Sequence, residues 1–146
     1  MIRNTVYTLY DAHEFELDRL GEFEFILRYR GSAPPDHSFI LVVNTPNVYK
    51  KIVPINSVNN AFRVTTYASY FSYKWQVDRR DGDRIRLSID REVPVPHLSM
   101  VGLGWYEVWV NIRDVNKVWE ERTATSLPFP FPEELSRIEE INPQEL

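Results

Sequence analysis

The chain has 146 residues, of which 43% are hydrophobic and 14% aromatic, and it contains no cysteine. This length can bury a hydrophobic core without disulfide bonds, and the lack of thiols excludes cysteine catalysis and cysteine metal sites. Acidic residues outnumber basic ones by 21 to 17, which gives a net charge of −4. No nucleic-acid partner is expected, because phosphate neutralisation requires a basic surface. No membrane partner is expected either, because no apolar run approaches the ~20 residues that cross a bilayer.

Residues 1–5 lack the apolar stretch of a secretory signal, which predicts synthesis in a cytoplasm. Arginine outnumbers lysine by 13 to 4, and the chain has ten prolines, five glycines and two glutamines. This usage is typical of thermostable proteins, although nine asparagines oppose the trend. The composition therefore favours a heat-stable protein.

The first strong pattern is an alternation of apolar and mostly charged residues over positions 22–30, which predicts a strand with one buried face. The buried face would carry Phe23, Phe25, Leu27 and Tyr29. A continuous apolar run at residues 38–43 predicts a second strand, covered on both faces.

The middle of the chain predicts a β-hairpin. The large side chains of its first strand share odd positions, namely Tyr67, Phe71, Tyr73, Trp75 and Val77. Residues 80–83 supply a turn with Asp81 and Gly82 at its tip. The buried face of the next strand would carry Ile85, Leu87 and Ile89. A proline-rich loop follows at residues 93–96.

Residues 105–113 predict the last strand of this region. One face would carry Tyr106, Val108, Val110 and Ile112. Trp105 and Trp109 would share the other face, about 13 Å apart at ~3.3 Å per residue. Two interpretations of this pair stay open: a second layer covers them as core, or they are exposed for stacking on sugars or for a subunit interface. Gly102 and Gly104 lack the context of a phosphate-binding loop and predict a hinge or a bulge.

Near the C-terminus, prolines alternate with Phe129 and Phe131. The prolines fix φ and remove N–H donors, which predicts an extended, polyproline-like strap containing Pro128, Pro130 and Pro132. Phe129 and Phe131 would anchor this strap in a pocket, either of the same chain or of a neighbouring copy.

Residues 133–141 predict the one helix of the chain, because acidic residues occupy its first turn and Asn142 and Pro143 end it. At about two turns this helix would need packing from elsewhere, which favours docking of the tail on a neighbouring copy. Leu135 and Ile138 are its expected apolar contacts.

Several short strands separated by turns, with almost no helix, predict an all-β fold. The expected architecture is an antiparallel β-sandwich or barrel with extended terminal arms and one short C-terminal helix. The β domain, with a short N-terminal arm, would span residues 1–126, and the proline-anchored arm and helix would span residues 127–146.

No catalytic set is recognisable in the sequence. His13, His37 and His97 lie in separate segments without the spacing of a zinc site. Residues 78–83 lack the alternating oxygen ligands of an EF-hand, and no nucleophile elbow, Walker loop or dinucleotide-binding glycine motif occurs. We therefore expect neither an enzyme nor a metal or cofactor site.

The organisation of the chain resembles the small decoration, or cementing, proteins of tailed-bacteriophage heads. The resemblance lies in a cysteine-free β domain flanked by an extended stretch at residues 1–4 and a proline-anchored tail at residues 127–146. It implies a virion structural protein, made in the host cytoplasm, that forms trimers and clasps its neighbours and the major capsid protein with its arms. Phe129 and Phe131 would then be the anchors.

Two alternatives stay open. Residues 104–108, Gly-Trp-Tyr-Glu-Val, are similar to the last core strand of immunoglobulin-like domains in phage tail or baseplate adaptors. The alternative from a different class is a carbohydrate-binding module, in which Trp105, Trp109 and Tyr70 would stack on sugars.

Overall fold

The structure, a computed structural model, describes all 146 residues. It contains twelve β-strands and three single-turn 3₁₀ helices and no α-helix, so the all-β class is confirmed. The strands are β1 (Asn4–Tyr10), β2 (His13–Arg19), β3 (Glu24–Arg30), β4 (Ile40–Leu41), β5 (Val48–Pro54), β6 (Phe62–Tyr70), β7 (Tyr73–Asp81), β8 (Arg84–Ile89), β9 (Ser99–Gly102), β10 (Trp105–Asn111), β11 (Lys117–Thr123) and β12 (Ile138–Ile141). The 3₁₀ helices span Ile55–Ser57, Ile112–Asp114 and Pro143–Glu145.

The chain divides into two compact units, each assembled from separate segments. Unit 1 contains Met1–Asn4, Val64–Arg122 and Ser136–Leu146, and unit 2 contains Thr5–Arg63 and Thr123–Leu135. This division differs from the expected boundary at residue 126, because the C-terminal tail contributes its first part to unit 2 and its last part to unit 1.

In unit 1 the strand order is β6, β7, β8, β10, β9, and β11 pairs with both β6 and β12. The β7–β8 and β8–β10 pairs are antiparallel. One face of the sheet buries a mainly aliphatic cluster built around Trp75, which includes Val77, Ile85, Leu87, Val108 and Val110. The alternation predicted for β8 and β10 is therefore confirmed.

In unit 2 the strand order is β4, β5, β3, β2, β1. Its core is built on aromatic rings: Phe15 stacks on Phe39 with 5.2 Å between ring centroids, and Phe25 is fully buried. The predicted face of β3 is correct except at its first member. Phe23 is 66% exposed, because the strand begins only at Glu24.

The β6–β7 hairpin contains a turn that the sequence did not predict. Phe71 and Ser72 have φ of 51° and 62°, the left-handed conformations of a two-residue type I′ turn. Because Ala68 pairs with Trp75 across this turn, even positions are buried on β6 and odd positions on β7. The prediction that Tyr67 and Phe71 share a face with Trp75 is therefore wrong. The next hairpin is confirmed, and Gly82 takes up a φ of 58° at its tip.

The prediction of a doubly buried strand at residues 38–43 is also wrong. β4 comprises only Ile40–Leu41 and pairs only with β5. Ile40 is 59% exposed and Leu41 56%, and of this run Phe39 alone reaches the core. The apolar run is thus one core anchor followed by a short edge strand.

The predicted C-terminal helix is wrong as well. Residues 138–141 form β12, which pairs antiparallel with β11 so that Ile138 lies opposite Glu121 and Ile141 opposite Val118. A two-turn helix is marginal on its own, whereas pairing with β11 supplies backbone hydrogen-bond partners for the same residues.

Candidate binding surfaces

Phe129 and Phe131 of the proline-rich strap both contact rings of their own chain, within unit 2. Phe129 lies edge-on to Phe25 with 5.4 Å between centroids, and Phe131 lies edge-on to Phe62 at 6.2 Å. The Ala61 amide donates a hydrogen bond of 3.1 Å to the carbonyl oxygen of Pro130. The strap therefore helps to cover the core of unit 2.

The other predicted tail residues do not form one surface. Pro128 and Pro130 are exposed, and Leu135 is half-buried in unit 2. Ile138 belongs to unit 1, where it lies on β12 and is 61% exposed. The phenylalanines of the tail thus contact the core of their own chain, and the remaining predicted residues do not lie together on one exposed surface.

Trp105 and Trp109 lie on the face of β10 opposite to the buried Val108. Trp105 is 48% exposed, whereas Trp109 is half-buried and has the guanidinium carbon of Arg84 5.7 Å from its ring centroid. Between them, Glu107 pairs with Arg86 at 3.6 Å. This side of unit 1, which we call the aromatic face, is a mixed aromatic and charged surface.

A cleft of about 400 Å³ opens on the aromatic face beside Trp105. Its lining mixes aromatic, neutral polar and charged side chains: Tyr67, Lys74, Gln76, Ser88, Ile89, Asp90, Arg91 and Trp105. Gln76 lies opposite Tyr67 on one neighbouring strand and opposite Ser88 on the other, so the sheet itself forms the floor. Tyr70, the ring proposed from the sequence, instead packs against the core cluster.

Lys74 and Glu121 form an ion pair beside this cleft. Lys74 Nζ lies 2.5 Å from Glu121 Oε2 and 4.1 Å from the ring centroid of Tyr67. Trp119 Nε1 donates a hydrogen bond of 2.9 Å to the same carboxylate oxygen. Burial alone would raise the pKa of Glu121, but the hydrogen bonds from Lys74 and Trp119 and the lysine charge together lower this pKa below its ordinary value. The glutamate therefore holds the lysine and a tryptophan of the aromatic face together.

A second exposed surface is the apolar hairpin, residues 99–104, which comprises β9 and the turn that leads into β10. Leu103 is fully exposed at its tip, Met100 is 67% exposed and Val101 53%. β9 pairs only with β10, and it carries neither the charged residue nor the proline that usually protects an edge strand. Its backbone and its apolar side chains are therefore both open to another chain.

The turn of the apolar hairpin depends on Gly104, whose φ is 75°. The register then shifts between Trp105 and Tyr106. The hinge or bulge expected at this point is therefore a tight turn followed by a bulge.

An open groove of about 680 Å³ adjoins the apolar hairpin. Its lining residues are Glu92, Val93, Pro94, Val95, Pro96, His97, Leu98, Met100 and Tyr106, of which Val93 and Val95 are buried. Met100 belongs to both the hairpin and the groove, so the exposed apolar hairpin and the groove are adjacent in unit 1.

The three histidines are exposed, and no three or more His, Asp or Glu side chains are grouped so that they could hold a metal ion. None of the helices is long and apolar enough to cross a membrane.

The fold and surfaces define an all-β protein of two sheet-containing units with an apolar hairpin and an aromatic cleft. Residues 2–126 match the family described as "Uncharacterised conserved protein UCP033725", and the chain belongs to this family. Comparison with curated proteins and with solved structures found no match.

Proposed function

We propose that the protein is a virion structural protein that decorates and stabilises a capsid by self-assembly, with the apolar hairpin as its main contact. The observation that carries the proposal is the exposure of Met100 and Val101 on the edge strand β9 and of Leu103 in the turn that follows it. Grouped exposed apolar side chains mark interaction sites, and an unpaired strand can add a further strand through backbone hydrogen bonds.

A second copy of the chain suits this surface because each copy carries both an exposed apolar side chain, Leu103, and an open groove beside it. Leu103 of one copy can enter the groove beside Met100 and Tyr106 of the next copy, and repetition of this head-to-tail contact around a three-fold axis closes a trimer. A bilayer suits it less, because residues 92–106 contain no lysine or arginine, and basic side chains usually accompany the apolar ones in segments that lie on membranes.

The C-terminal strap has a different part in this proposal. Exchange of the arm between copies would require Phe129 to leave Phe25 and Phe131 to leave Phe62. The apolar hairpin can dock without breaking any such contact. A trimer on the major capsid protein is the assembly that the phage resemblance implies, with the strap holding each subunit together.

Light scattering tests the proposal through the absolute mass of the wild-type protein and of Leu103→Asp over a range of concentrations. We expect a closed wild-type oligomer, with a trimer favoured, and a monomeric L103D variant that keeps the circular dichroism spectrum of the folded wild type and loses only the stabilisation that association supplies. Phe71→Asp is the matched control, because Phe71 is 52% exposed at another hairpin turn and its loss should leave the oligomer intact. A wild-type monomer at every concentration, or an L103D variant of unchanged mass, would contradict self-assembly through this hairpin.

A further inference from the structure

We propose that the cleft beside Trp105 binds an uncharged saccharide, an activity separate from assembly through the apolar hairpin. The first support is the ring of Trp105, which lines the cleft and is 48% exposed. A pyranose has a flat face of C–H groups that packs on an aromatic ring, and an indole offers the largest such ring in proteins. Tyr67 also lines the cleft, but Lys74 Nζ and Trp119 already contact its ring, so Trp105 is the ring proposed for stacking.

The second support is the neutral hydrogen-bonding side chains next to these rings. Gln76 and Ser88 lie opposite each other on adjacent strands, and both are half-buried. An amide offers donors and an acceptor at once, and a hydroxyl can donate or accept. These are the groups that sugar hydroxyls require, since each hydroxyl is itself both donor and acceptor.

The third support is the balance of charge around the cleft. Lys74 is held by Glu121 at 2.5 Å, and Arg91 Nη1 lies 3.8 Å from Asp90 Oδ1. Each cation that lines the cleft therefore has a carboxylate within 4 Å, and the pair of Lys74 is the closer and less exposed of the two. An anionic ligand such as a nucleotide would have to compete with these partners, whereas an uncharged ligand would leave both ion pairs in place.

Size and shape agree with a short oligosaccharide. A volume of about 400 Å³ falls within the roughly 300–1,000 Å³ of small-molecule sites. The floor is a β-sheet whose register fixes the positions of Tyr67, Gln76 and Ser88 relative to one another, so the backbone of the site needs little ordering on binding.

Calorimetric titration of the full chain with cellotetraose, xylotetraose, maltotetraose and tetra-N-acetylchitotetraose tests this inference. We expect at least one of these sugars to bind and to change the tryptophan fluorescence. Trp105→Ala should weaken that binding by about tenfold or more, because loss of a central aromatic anchor has effects of this size.

Trp109→Ala is the matched control, since Trp109 lies on the same face of β10 but outside the cleft; it should change affinity by no more than about twofold. L103D should bind the sugar as the wild type does, which separates this activity from assembly. The inference is overturned if none of the four sugars binds, if W105A binds as tightly as the wild type, or if uridine monophosphate binds more tightly than every sugar.

Discussion

The two units use their aromatic side chains in opposite ways. Unit 2 packs rings inside, where Phe15, Phe25 and Phe39 are buried. Unit 1 has a mainly aliphatic core around Trp75, with Tyr70, Tyr73 and Tyr106 packed against it, and it places four further rings on the opposite side of the sheet, namely Tyr67, Trp105, Trp109 and Trp119. An aromatic ring that stays in contact with water forgoes the favourable free energy of burial. Of these four rings Trp105 is exposed and the other three are half-buried, whereas the buried rings of unit 2 serve stability.

The units also differ in the charges that they bury. Unit 2 buries one polar residue, Thr8, whereas unit 1 buries Glu120 and Arg122. Arg3 donates two hydrogen bonds to Glu120, of 2.7 and 2.8 Å, and Arg122 donates one of 2.7 Å to Glu139. This network ties the N-terminal segment to β11 and β12, so the order of unit 1 depends on charge pairing as well as on apolar burial.

The largest expected effect concerns the rings of unit 2. Phe25→Ala should lower the free energy of unfolding by about 3–5 kcal/mol, because it leaves a cavity where a fully buried ring contacts Phe129. Phe23→Ala, two residues earlier and 66% exposed, should change it by no more than about 0.5 kcal/mol. Chemical denaturation of both variants measures the difference. Equal losses would mean that the aromatic core of unit 2 is not where the structure places it.

A somewhat smaller loss is expected from the buried charges of unit 1. Glu120→Gln should cost about 3 kcal/mol, because it leaves Arg3 and the 5% exposed Arg122 without the carboxylate between them. Glu139→Gln is the control. The Glu139 side chain is 60% exposed, so its substitution should cost about 1 kcal/mol or less. The same denaturation measurement applies. A larger loss of unfolding free energy from E139Q than from E120Q would show that the pair of Arg122 with Glu139 stabilises the network more than Glu120 does.

The contrast between the units also explains how much the sequence could predict. Period-two alternation correctly gave the buried faces of β3, β8 and β10, because in each of these strands one side meets the core. It failed at Phe71 and Ser72, since neither is the asparagine or glycine that usually marks a type I′ turn. One missed turn reversed the inferred orientation of Tyr67.

The cleft could not be predicted because its residues are distant in sequence. Trp105 was selected from the sequence, but Tyr67, Gln76 and Ser88 join it only through the order and register of four strands. Local patterns contain no strand order. The β-strand at residues 138–141 was missed for a related reason, since its short acidic sequence is compatible with a helix until β11 offers a partner.

The smallest expected effect concerns how the exposed rings of unit 1 are held. In the folded protein the pKa of Glu121 lies below its ordinary value of about 4.5, so in acid the folded state binds fewer protons at this group than the unfolded state does. Its contribution to stability is therefore fully present above about pH 4.5 and is lost as the pH falls through the lowered pKa.

Chemical denaturation at a series of pH values checks this expectation in the wild type and in Glu121→Gln. The stability difference between them should be constant near neutral pH and should shrink below about pH 4.5. Glu134→Gln, at an exposed position of unit 2, controls for the general effect of acid. A difference that does not change with pH would mean that Lys74 and Trp119 do not stabilise the ionised carboxylate. The aromatic face of unit 1 would then be positioned by its backbone register alone.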